Sequence, residues 1–259
     1  MAERIIAPTA SLSEFTELYK KTASEASLPE SFTTEKLISL LYGIYAELLE
    51  ANRKFNLTAI TALDGVTERH LVDCLMPLKL LAEKGLLRDG DTVCDIGAGA
   101  GFPTLPIASA AEAGAVADIK IHAVDSTAKK IGHIKSTAEK IGLARVSGTA
   151  GRAEELASTA MRESFDVVTA RAVSAMPVLI ELAAPFVKVG GVFAAMKAHS
   201  DEEVAAASRA AEILGFDKPE TTEYTLPSGD VRSLVIYKKI KSTPDKYPRM
   251  YSKIVSKPL

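Results

Sequence analysis

The 259-residue chain is 47% hydrophobic and 25% charged, and its formal net charge is −2 at pH 7. This composition predicts a globular protein with a sizeable core and argues against a uniformly basic nucleic-acid binder. The chain has no apolar run of the about 18 residues that a membrane span needs and no secretory leader pattern, so we expect a cytoplasmic protein.

Three helical patterns open the chain. In the second, the apolar positions recur at helical spacing, which indicates a face packed against other elements: Leu37, Leu40, Leu41, Ile44 and Leu48. A polar loop over "NRKFNLTAIT" separates this helix from a third pattern near 64–84, which contains His70 and Asp73. We expect residues 1–85 to form a helical extension that packs on the core.

From Asp91 onward, short apolar runs alternate with helical stretches. The runs are "TVCDIG", "IKIHAVD", "FDVVTAR" and "GGVFAAMKA". This alternation predicts βαβ units and therefore a doubly wound α/β fold over residues 86–240, with a mostly parallel sheet and helices on both faces. Two later strand candidates, "TTEYTLP" and "RSLVIYKKI", flank a Pro-Ser-Gly-Asp turn and predict a closing antiparallel hairpin.

The cysteines and histidines show no pattern of a reactive or metal-binding site. The cysteines are Cys74 and Cys94, and Cys94 lies inside an apolar run where a small buried thiol is expected. The histidines have no metal-ligand spacing: His70, His122, His133 and His199. We therefore expect no bound metal.

The stretch "DIGAGAGFP", residues 95–103, follows the first apolar run. In a doubly wound sheet such a loop lies at the carboxyl ends of the strands, where ligands bind. Gly97 and Gly99 fit the first two glycines of a dinucleotide motif, but Phe102 occupies the position of the third, and no P-loop ending is present. The remaining pattern is similar to that of class I S-adenosylmethionine-dependent methyltransferases, with a Rossmann-like fold: Asp95, Gly97, Gly99 and Gly101.

Such a donor needs an acid near its ammonium group, glycines beneath its backbone and a second acid for its ribose hydroxyls. We expect Asp95 to provide the first acid. Asp125, which ends a strand about 30 residues later, can accept hydrogen bonds from both ribose hydroxyls, or it can serve as a helix N-cap. Glu154, in "GRAEELA", would lie near the adenine unless it only begins a surface helix.

The segment "VTARAVSAM", which begins within the apolar run "FDVVTAR", limits the methyl acceptor. Enzymes that methylate exocyclic amino groups of adenine or cytosine usually carry an Asn/Asp-Pro-Pro-Tyr-like stretch here, and this chain does not. Cytosine-C5 enzymes need a cysteine nucleophile, and neither Cys74 nor Cys94 is placed for that role. Both chemistries are therefore disfavoured.

Sequence blocks from about Asn52 to Arg249 carry a family resemblance: "NLTAIT", "RHLVDCL", "VCDIGAGAGFPTLPIA", "VDSTAKK", "GRAEEL", "FDVVTARAVSAMPVLIELAAPFVKVGG", "MKA" and "IYKKIKSTPDKYPR". In this order they resemble the bacterial small-subunit ribosomal RNA guanine-N7 methyltransferase family (RsmG, or glucose-inhibited division protein B). The resemblance implies methyl transfer from S-adenosylmethionine to N7 of a guanine in the 530 loop of 16S rRNA. It implies 16S rRNA or the small ribosomal subunit as partner.

The resemblance also implies roles for single residues. Gly97 and Phe102 would line the donor pocket, and two residues would contact the adenosine end: Ala153 and Glu154. Arg171 would lie beside the site, or act only in a salt bridge. His70 and Asp73 would help to build the pocket or the RNA face, or only cap or pack a helix. Because guanine N7 already has a free lone pair, we expect positioning rather than a general base.

The chain from Val231 onward carries eight basic residues and one acid. Because Tyr247 and Tyr251 lie among them, we expect this basic stretch to bind RNA, although a solvated end is the alternative. Residues 241–259 form its basic tail. The candidate contacts are Lys238, Lys239, Lys246 and Arg249. After "KYPR" the family usually has a Gly-Thr-Pro-rich ending, whereas this chain reads "MYSKIVSKPL".

Two other functions stay open at the level of sequence. A small-molecule methyltransferase would share the donor domain and use the N-terminal helices as a lid, although the basic tail counts against it. A non-catalytic RNA-binding assembly factor would keep an inactive donor pocket, although the intact glycine loop and Asp125 count against it. Calorimetry with S-adenosylmethionine and acceptor binding would separate these functions.

Overall fold

The computed structural model describes residues 10–198 and 200–259, and its centre is a seven-stranded sheet. The strands are β1 (Thr92–Ile96), β2 (Lys120–Asp125), β3 (Val146–Ala150), β4 (Phe165–Arg171), β5 (Val187–Lys197), β6 (Glu220–Thr225) and β7 (Val231–Lys238). Their order across the sheet is β3-β2-β1-β4-β5-β7-β6. The first five strands pair in parallel, and β7 pairs antiparallel with both β5 and β6. The predicted parallel sheet and closing hairpin are confirmed.

Helices flank the sheet and connect its strands. They are α1 (Leu12–Glu25), α2 (Glu35–Lys54), α3 (Leu63–Val66), α4 (Asp73–Glu83), α5 (Thr104–Glu112), α6 (Ala128–Lys140), α7 (Ala153–Leu156), α8 (Met176–Ala183), α9 (Asp201–Ile213) and α10 (Tyr251–Ser256). Because β1 and β4 are neighbours whose chains continue in opposite directions across the sheet, a crevice forms between their carboxyl ends.

The N-terminal helices share a hydrophobic core with the sheet. Ser11 and Glu14 form a capping box at the start of α1, and the Thr34 hydroxyl accepts from the backbone of α2. Four positions of the predicted apolar face of α2 are buried, namely Leu37, Leu41, Ile44 and Leu48. The fifth, Leu40, is half-buried. This face therefore packs as its periodicity indicates.

The third helical pattern is a helix with an irregular middle. A π-helical turn, Thr67–Val72, joins α3 to α4 and places His70 and Asp73 at adjoining turns. Pro77 lies within α4 and has no N–H to donate to the Asp73 carbonyl. The Tyr224 hydroxyl donates to that carbonyl instead, at 3.4 Å, so the helix is fastened to β6.

Among residues 10–198 and 200–259, no helix is long and apolar enough to cross a bilayer. The same ranges contain no group of three or more His, Cys, Asp or Glu side chains that could hold a metal ion. Cys74 and Cys94 are buried free thiols, as expected for Cys94. His199, one of the histidines considered above, lies outside the described residues.

Candidate functional site

A cavity of about 340 Å³ opens at the carboxyl ends of β1, β2, β3 and β4. Loops after four parallel strands and one C-terminal residue line it, including Gly97, Asp125, Ala153, Glu154, Val173 and Tyr251. This is the position where doubly wound sheets bind their ligands. The cavity lies next to the crevice between β1 and β4.

The three glycines after β1 have different local reasons to be glycine. All three have positive φ, a conformation that other residues rarely adopt. A Cβ on Gly97 would lie 2.5 Å from Val173 Cγ2, and one on Gly101 would lie 2.6 Å from Leu105 Cδ1. A Cβ on Gly99 would meet open space, with its nearest neighbour 3.8 Å away. Packing therefore explains Gly97 and Gly101, whereas at Gly99, which is not among the residues that line the cavity, only the positive φ favours glycine.

Asp125 joins the glycine loop to α6 and also faces the cavity. Its Oδ2 accepts from the Gly99 amide at 3.0 Å, and its Oδ1 accepts from the Thr127 amide at 2.8 Å. A carboxylate can accept about four hydrogen bonds, so both oxygens retain capacity for ligand hydroxyls. The bond to the Thr127 amide closes a turn before α6, whose N-cap is Thr127 without a side-chain cap bond, so Asp125 is not the helix N-cap expected as its alternative role.

Asp95 lies inside the protein rather than on the cavity wall. Its Oδ2 accepts from Thr104 Oγ1 at 2.6 Å and from the Thr104 amide at 3.2 Å, while its Oδ1 accepts from Thr169 Oγ1 at 3.3 Å. The structure therefore corrects the expected contact between Asp95 and the donor ammonium. The carboxylate instead ties β1 to the start of α5 and to β4, and so fixes the glycine loop between them.

Burial raises the pKa of Asp95 to about 6 from its ordinary 3.8, although the hydrogen bonds from Thr104 oppose the shift. Because the folded-state pKa is the higher one, the folded protein holds this proton more tightly, and stability falls as the pH rises from about 4 to about 6. Relative to Asp95→Asn, we expect the wild-type free energy of unfolding to drop by about 3 kcal/mol across this range.

Urea unfolding of both proteins at several pH values measures this difference. A difference that stays constant between pH 4 and 7 would contradict the assignment. The Asn side chain can still accept from Thr104, so it serves as the matched replacement without a titrating group.

Phe102, Arg171 and His70 form a stacked cluster behind the glycine loop. The rings of His70 and Phe102 stack with centroids 4.6 Å apart, and the Arg171 guanidinium lies 5.7 Å from the Phe102 centroid. Arg171 Nη1 donates to Asp73 Oδ2 at 3.1 Å and to the Arg69 carbonyl at 2.9 Å. Phe102 is buried and does not line the cavity, which corrects its expected place in the donor pocket. The cluster supports the loop from behind.

His70 is held as a neutral ring. Thr58 Oγ1 accepts from the Ile60 amide, so its own proton is available to His70 Nε2 at 3.0 Å. His70 Nδ1 lies 3.2 Å from the Arg69 carbonyl and 3.5 Å from Arg171 Nη2. Burial and the neighbouring Arg171 lower the pKa of His70 to about 4. The ring therefore packs and forms hydrogen bonds, and it is not poised to carry a proton at neutral pH.

The loop after β4 forms the opposite side of the cavity. Ala172 and Val173 line it, and Val173 is 37% exposed. Ala172 has a φ of +56°, a strained conformation for alanine that occurs frequently at functional sites. The sequence indicated Arg171 as the residue beside the site after β4. The two residues that follow it, Ala172 and Val173, line the cavity instead.

The loop after β3 contributes the last part of the wall. Ala153 and Glu154 line the cavity, and Arg152 Nε donates to Glu154 Oε1 at 2.7 Å. Tyr251 also lines the cavity, and no motif in the sequence indicated this. Its position results from the path of the C-terminal segment across the protein.

The C-terminal basic residues divide into two groups. Lys239 is fully buried, and its Nζ donates to Thr243 Oγ1 at 2.6 Å and to the Ala184 carbonyl at 2.7 Å. Arg249 forms a two-point ion pair with buried Glu181. Both side chains are occupied inside the protein, which corrects their expected contacts with RNA. Lys238 and Lys246 are exposed.

Comparison with known proteins identifies the family. A sequence profile described as "GidB: rRNA small subunit methyltransferase G" matches residues 37–230. A relative from Lactobacillus acidophilus, named ribosomal RNA small subunit methyltransferase G, is 41% identical over 215 residues, which cover 82% of this chain and 87% of the relative. A relative of the same name from Lactobacillus delbrueckii subsp. bulgaricus is 40% identical over 246 residues, covering 94% of this chain and 99% of the relative.

The fold is similar to a solved O-methyltransferase from Bacillus cereus in complex with S-adenosylhomocysteine. The TM-score is 0.54, the sequence identity is 15%, and the alignment covers 88% of this chain and 100% of the other. At this identity the likeness shows the fold alone, which is that of class I methyltransferases. With the profile match and about 40% identity over nearly the whole length, this chain belongs to the rRNA small subunit methyltransferase G family, whose members use S-adenosylmethionine as methyl donor.

Proposed function

We propose that the protein transfers the methyl group of S-adenosylmethionine to N7 of a guanine in the 530 loop of 16S rRNA. One observation carries the proposal: a chain of this family places a glycine loop and Asp125 together at the switch-point cavity. The names of its relatives support small-subunit rRNA, free or within the ribosomal subunit, as the acceptor. We place the reaction in the cytoplasm, where ribosomal RNA is modified.

We assign the methyltransferase domain to residues 86–240, a helical extension to 1–85 and a basic tail to 241–259. The helices α1 and α2 share a hydrophobic core with the sheet, and this supports a single unit made of the helical extension and the methyltransferase domain. Buried Tyr247 and Ile254 indicate that the tail also packs on this unit. Binding and activity measurements therefore require the whole chain.

The donor fits the cavity in three parts. We expect its ribose hydroxyls to donate to Asp125, because this carboxylate faces the cavity and retains acceptor capacity. Its methionine portion would lie along Gly97 and Gly99, where the open space beside Gly99 admits a ligand. The adenine would lie beside Ala153 and Glu154. Four residues position this wall from behind: Asp95, Gly101, Phe102 and Arg171.

S-adenosylmethionine supplies a methyl group bonded to a positively charged sulfur. The bond from guanine N7 to the methyl carbon forms as the carbon–sulfur bond breaks, and the bonding electron pair returns to sulfur. The positive charge passes to the guanine, and no proton leaves N7. The residues of this chain therefore need to align the two reactants and exclude water, and none needs to act as a base.

The acceptor guanine would approach along the loop after β4. Ala172 and Val173 lie across the cavity from Asp125, so a base at this loop would be close to the methyl end of the donor. The strained φ of Ala172 fits a backbone held in place for a ligand. His70, beside Arg171, has a pKa lowered to about 4 and is therefore neutral at neutral pH.

We expect single-turnover methyl transfer to lack an ionisation of an essential base between about pH 7 and 8.5. N7 is already nucleophilic, and the pKa of His70 at about 4 keeps that ring neutral throughout. The rate at saturating donor and RNA, measured at several pH values, tests this. An acid limb in that range that one Asp, Glu or His substitution abolishes would reopen the search for a base.

The exposed lysines of the C-terminal region are expected to bind RNA phosphates. Replacing Lys238 and Lys246 with Gln should weaken RNA binding and reduce the slope of log K against log salt by about two, because each contact releases counterions. Donor affinity should stay unchanged, because neither side chain lines the donor cavity.

A charge-matched control replaces two exposed lysines elsewhere, Lys20 and Lys218. If the tail variant keeps the wild-type salt slope, RNA is held by other parts of the surface. Lys239 is unsuitable for this test, because its removal takes a buried donor away from Thr243 Oγ1 and from the Ala184 carbonyl, which would keep only its bond from the Val187 amide.

Methyl transfer to purified 16S rRNA and to small ribosomal subunits, followed by nucleoside analysis, tests the proposed function. Formation of 7-methylguanosine supports it. Donor binding without transfer to either RNA would favour a non-catalytic assembly factor, and turnover only with a small acceptor would favour a small-molecule methyltransferase.

A further inference from the structure

The segment after β7 is held against the protein by internal bonds. Arg162 Nη1 donates to the Tyr247 carbonyl at 2.9 Å. The fully buried carboxylate of Glu181 accepts from Arg249 Nε at 2.8 Å and from Arg249 Nη2 at 2.6 Å. Ile254, on α10, is fully buried. These contacts on both sides of Tyr251 fix its backbone, although the segment is rich in basic residues.

The anchored segment brings Tyr251 to the donor cavity. Tyr251 lines the cavity together with Gly151 and Ala153, and it is 38% exposed. The guanidinium of Arg152 lies over its ring, 4.8 Å from the centroid. A neighbouring cavity of about 570 Å³ is also lined by Tyr251 and Arg152. The ring therefore stands between the donor cavity and the outer surface of the C-terminal segment.

The position of Tyr251 corresponds to the adenine end of the donor. Asp125 ends β2, and the loop from Gly151 to Glu154 follows β3, the next strand outward in the sheet. A ribose bound at Asp125 directs the methionine portion inward to the glycine loop after β1. It directs the base outward to the loop after β3, where Tyr251 forms the opposing wall.

We propose that Tyr251 packs against the adenine of S-adenosylmethionine, so that the docked C-terminal segment completes the donor site. The inference rests on the proposed function for the identity of the donor. An aromatic ring can stack on a purine regardless of its hydrogen-bonding edge. Tyr251 lies beyond residues 37–230 that match the family profile and within the divergent ending "MYSKIVSKPL". The segment would therefore serve the donor as well as RNA.

Calorimetric titration of the full-length protein with S-adenosylmethionine tests this, using Tyr251→Ala, Tyr251→Phe and Val255→Ala. We expect the alanine variant to bind about tenfold more weakly, because it loses the aromatic wall. The phenylalanine variant should bind within twofold of wild type. Val255 is a matched control, because it lies on the same short helix with its side chain 49% exposed. Thermal melting confirms that each variant is folded.

Steady-state methyl transfer provides a second readout. The KM for the donor should rise about tenfold in Tyr251→Ala, while kcat at saturating donor stays near wild type, because the methyl group and N7 are distant from the adenine. Wild-type affinity in the alanine variant would overturn the inference, and so would equal losses in the alanine and phenylalanine variants. A failure of the proposed function can be told apart from a failure of this inference. In the former case the wild-type protein itself would not methylate RNA, whereas in the latter only the donor affinity expected for Tyr251→Ala would be wrong.

Discussion

Replacing Asp125 with alanine is expected to weaken S-adenosylmethionine binding by about 1 to 3 kcal/mol, which corresponds to about 5- to 150-fold. Two buried ribose hydroxyls would lose a charged acceptor. The Gly99 amide, which donates to Asp125 Oδ2 at 3.0 Å, would lose its partner as well, so the glycine loop would be less well held. Isothermal titration calorimetry measures the effect directly.

Two further variants separate the contributions. Asp125→Asn keeps the size and one acceptor oxygen but removes the charge, and we expect it to bind with an affinity between those of wild type and Asp125→Ala. Asp217→Ala removes an exposed carboxylate that does not line the cavity and should bind as wild type does. Unchanged affinity in Asp125→Ala would contradict the proposed ribose contact and leave Asp125 only its bonds to the Gly99 and Thr127 amides.

Gly97→Ala is expected to weaken donor binding at least about tenfold and also to destabilise the fold. The new Cβ would lie 2.5 Å from Val173 Cγ2, and φ at this position is +73°. Overpacking costs about 1 to 3 kcal/mol, and the backbone conformation adds about 1 kcal/mol. Because Gly97 and Val173 both line the cavity, the strain would be relieved by moving its walls. Calorimetry and urea unfolding measure the two effects.

Gly114 offers a matched control. Its φ is +75°, and nothing lies within 4 Å of an added Cβ, so Gly114→Ala imposes the same backbone cost without the clash. Donor affinity should be unaffected there. The double variant Gly97→Ala with Val173→Ala removes the nearest clashing atoms and should recover part of the lost affinity. If Gly97→Ala behaves as Gly114→Ala does, the packing account of this loop is wrong.

The variant Gly99→Val tests whether the methionine portion of the donor lies along the glycine loop. No atom of the protein lies closer than 3.8 Å to its missing Cβ, so the clash with Val173 has no counterpart here. A branched side chain at this point would fill the open space beside the cavity. Normal donor affinity in this variant would place the methionine portion elsewhere.

The strands whose burial is continuous could be predicted from the sequence. Apolar runs mark β1, β2, β4 and β5, and helical periodicity marks α2. The edge strand β3, "VSGTA", has small, half-exposed side chains without apolar alternation, so no apolar run indicated it. The π-helical turn at Thr67–Val72 also has no pattern of its own, because it arises from packing and from Pro77.

A site residue could be predicted from the sequence where its place at the end of a strand is enough to bring it to the cavity. Asp125 ends β2 and necessarily reaches the carboxyl edge of the sheet. Asp95 lies within β1, which is buried on both faces, so sequence alternation does not reveal which way its side chain points. Lys239 looks like part of a basic run, and its burial depends on partners distant in sequence, such as Ala184 and Glu163.

Mapping of 7-methylguanosine in 16S rRNA shows whether this protein methylates a guanine of the 530 loop. RNA would be taken from bacteria that lack this protein, from the same cells supplied with the wild-type gene, and from cells supplied with Asp125→Ala. Chain cleavage specific for 7-methylguanosine, read by primer extension, locates the modified base. We expect a modified guanine in the 530 loop that disappears with the gene, returns with the wild-type protein and returns poorly with Asp125→Ala. A 530 loop that is equally methylated in the presence and absence of the protein would contradict this expectation.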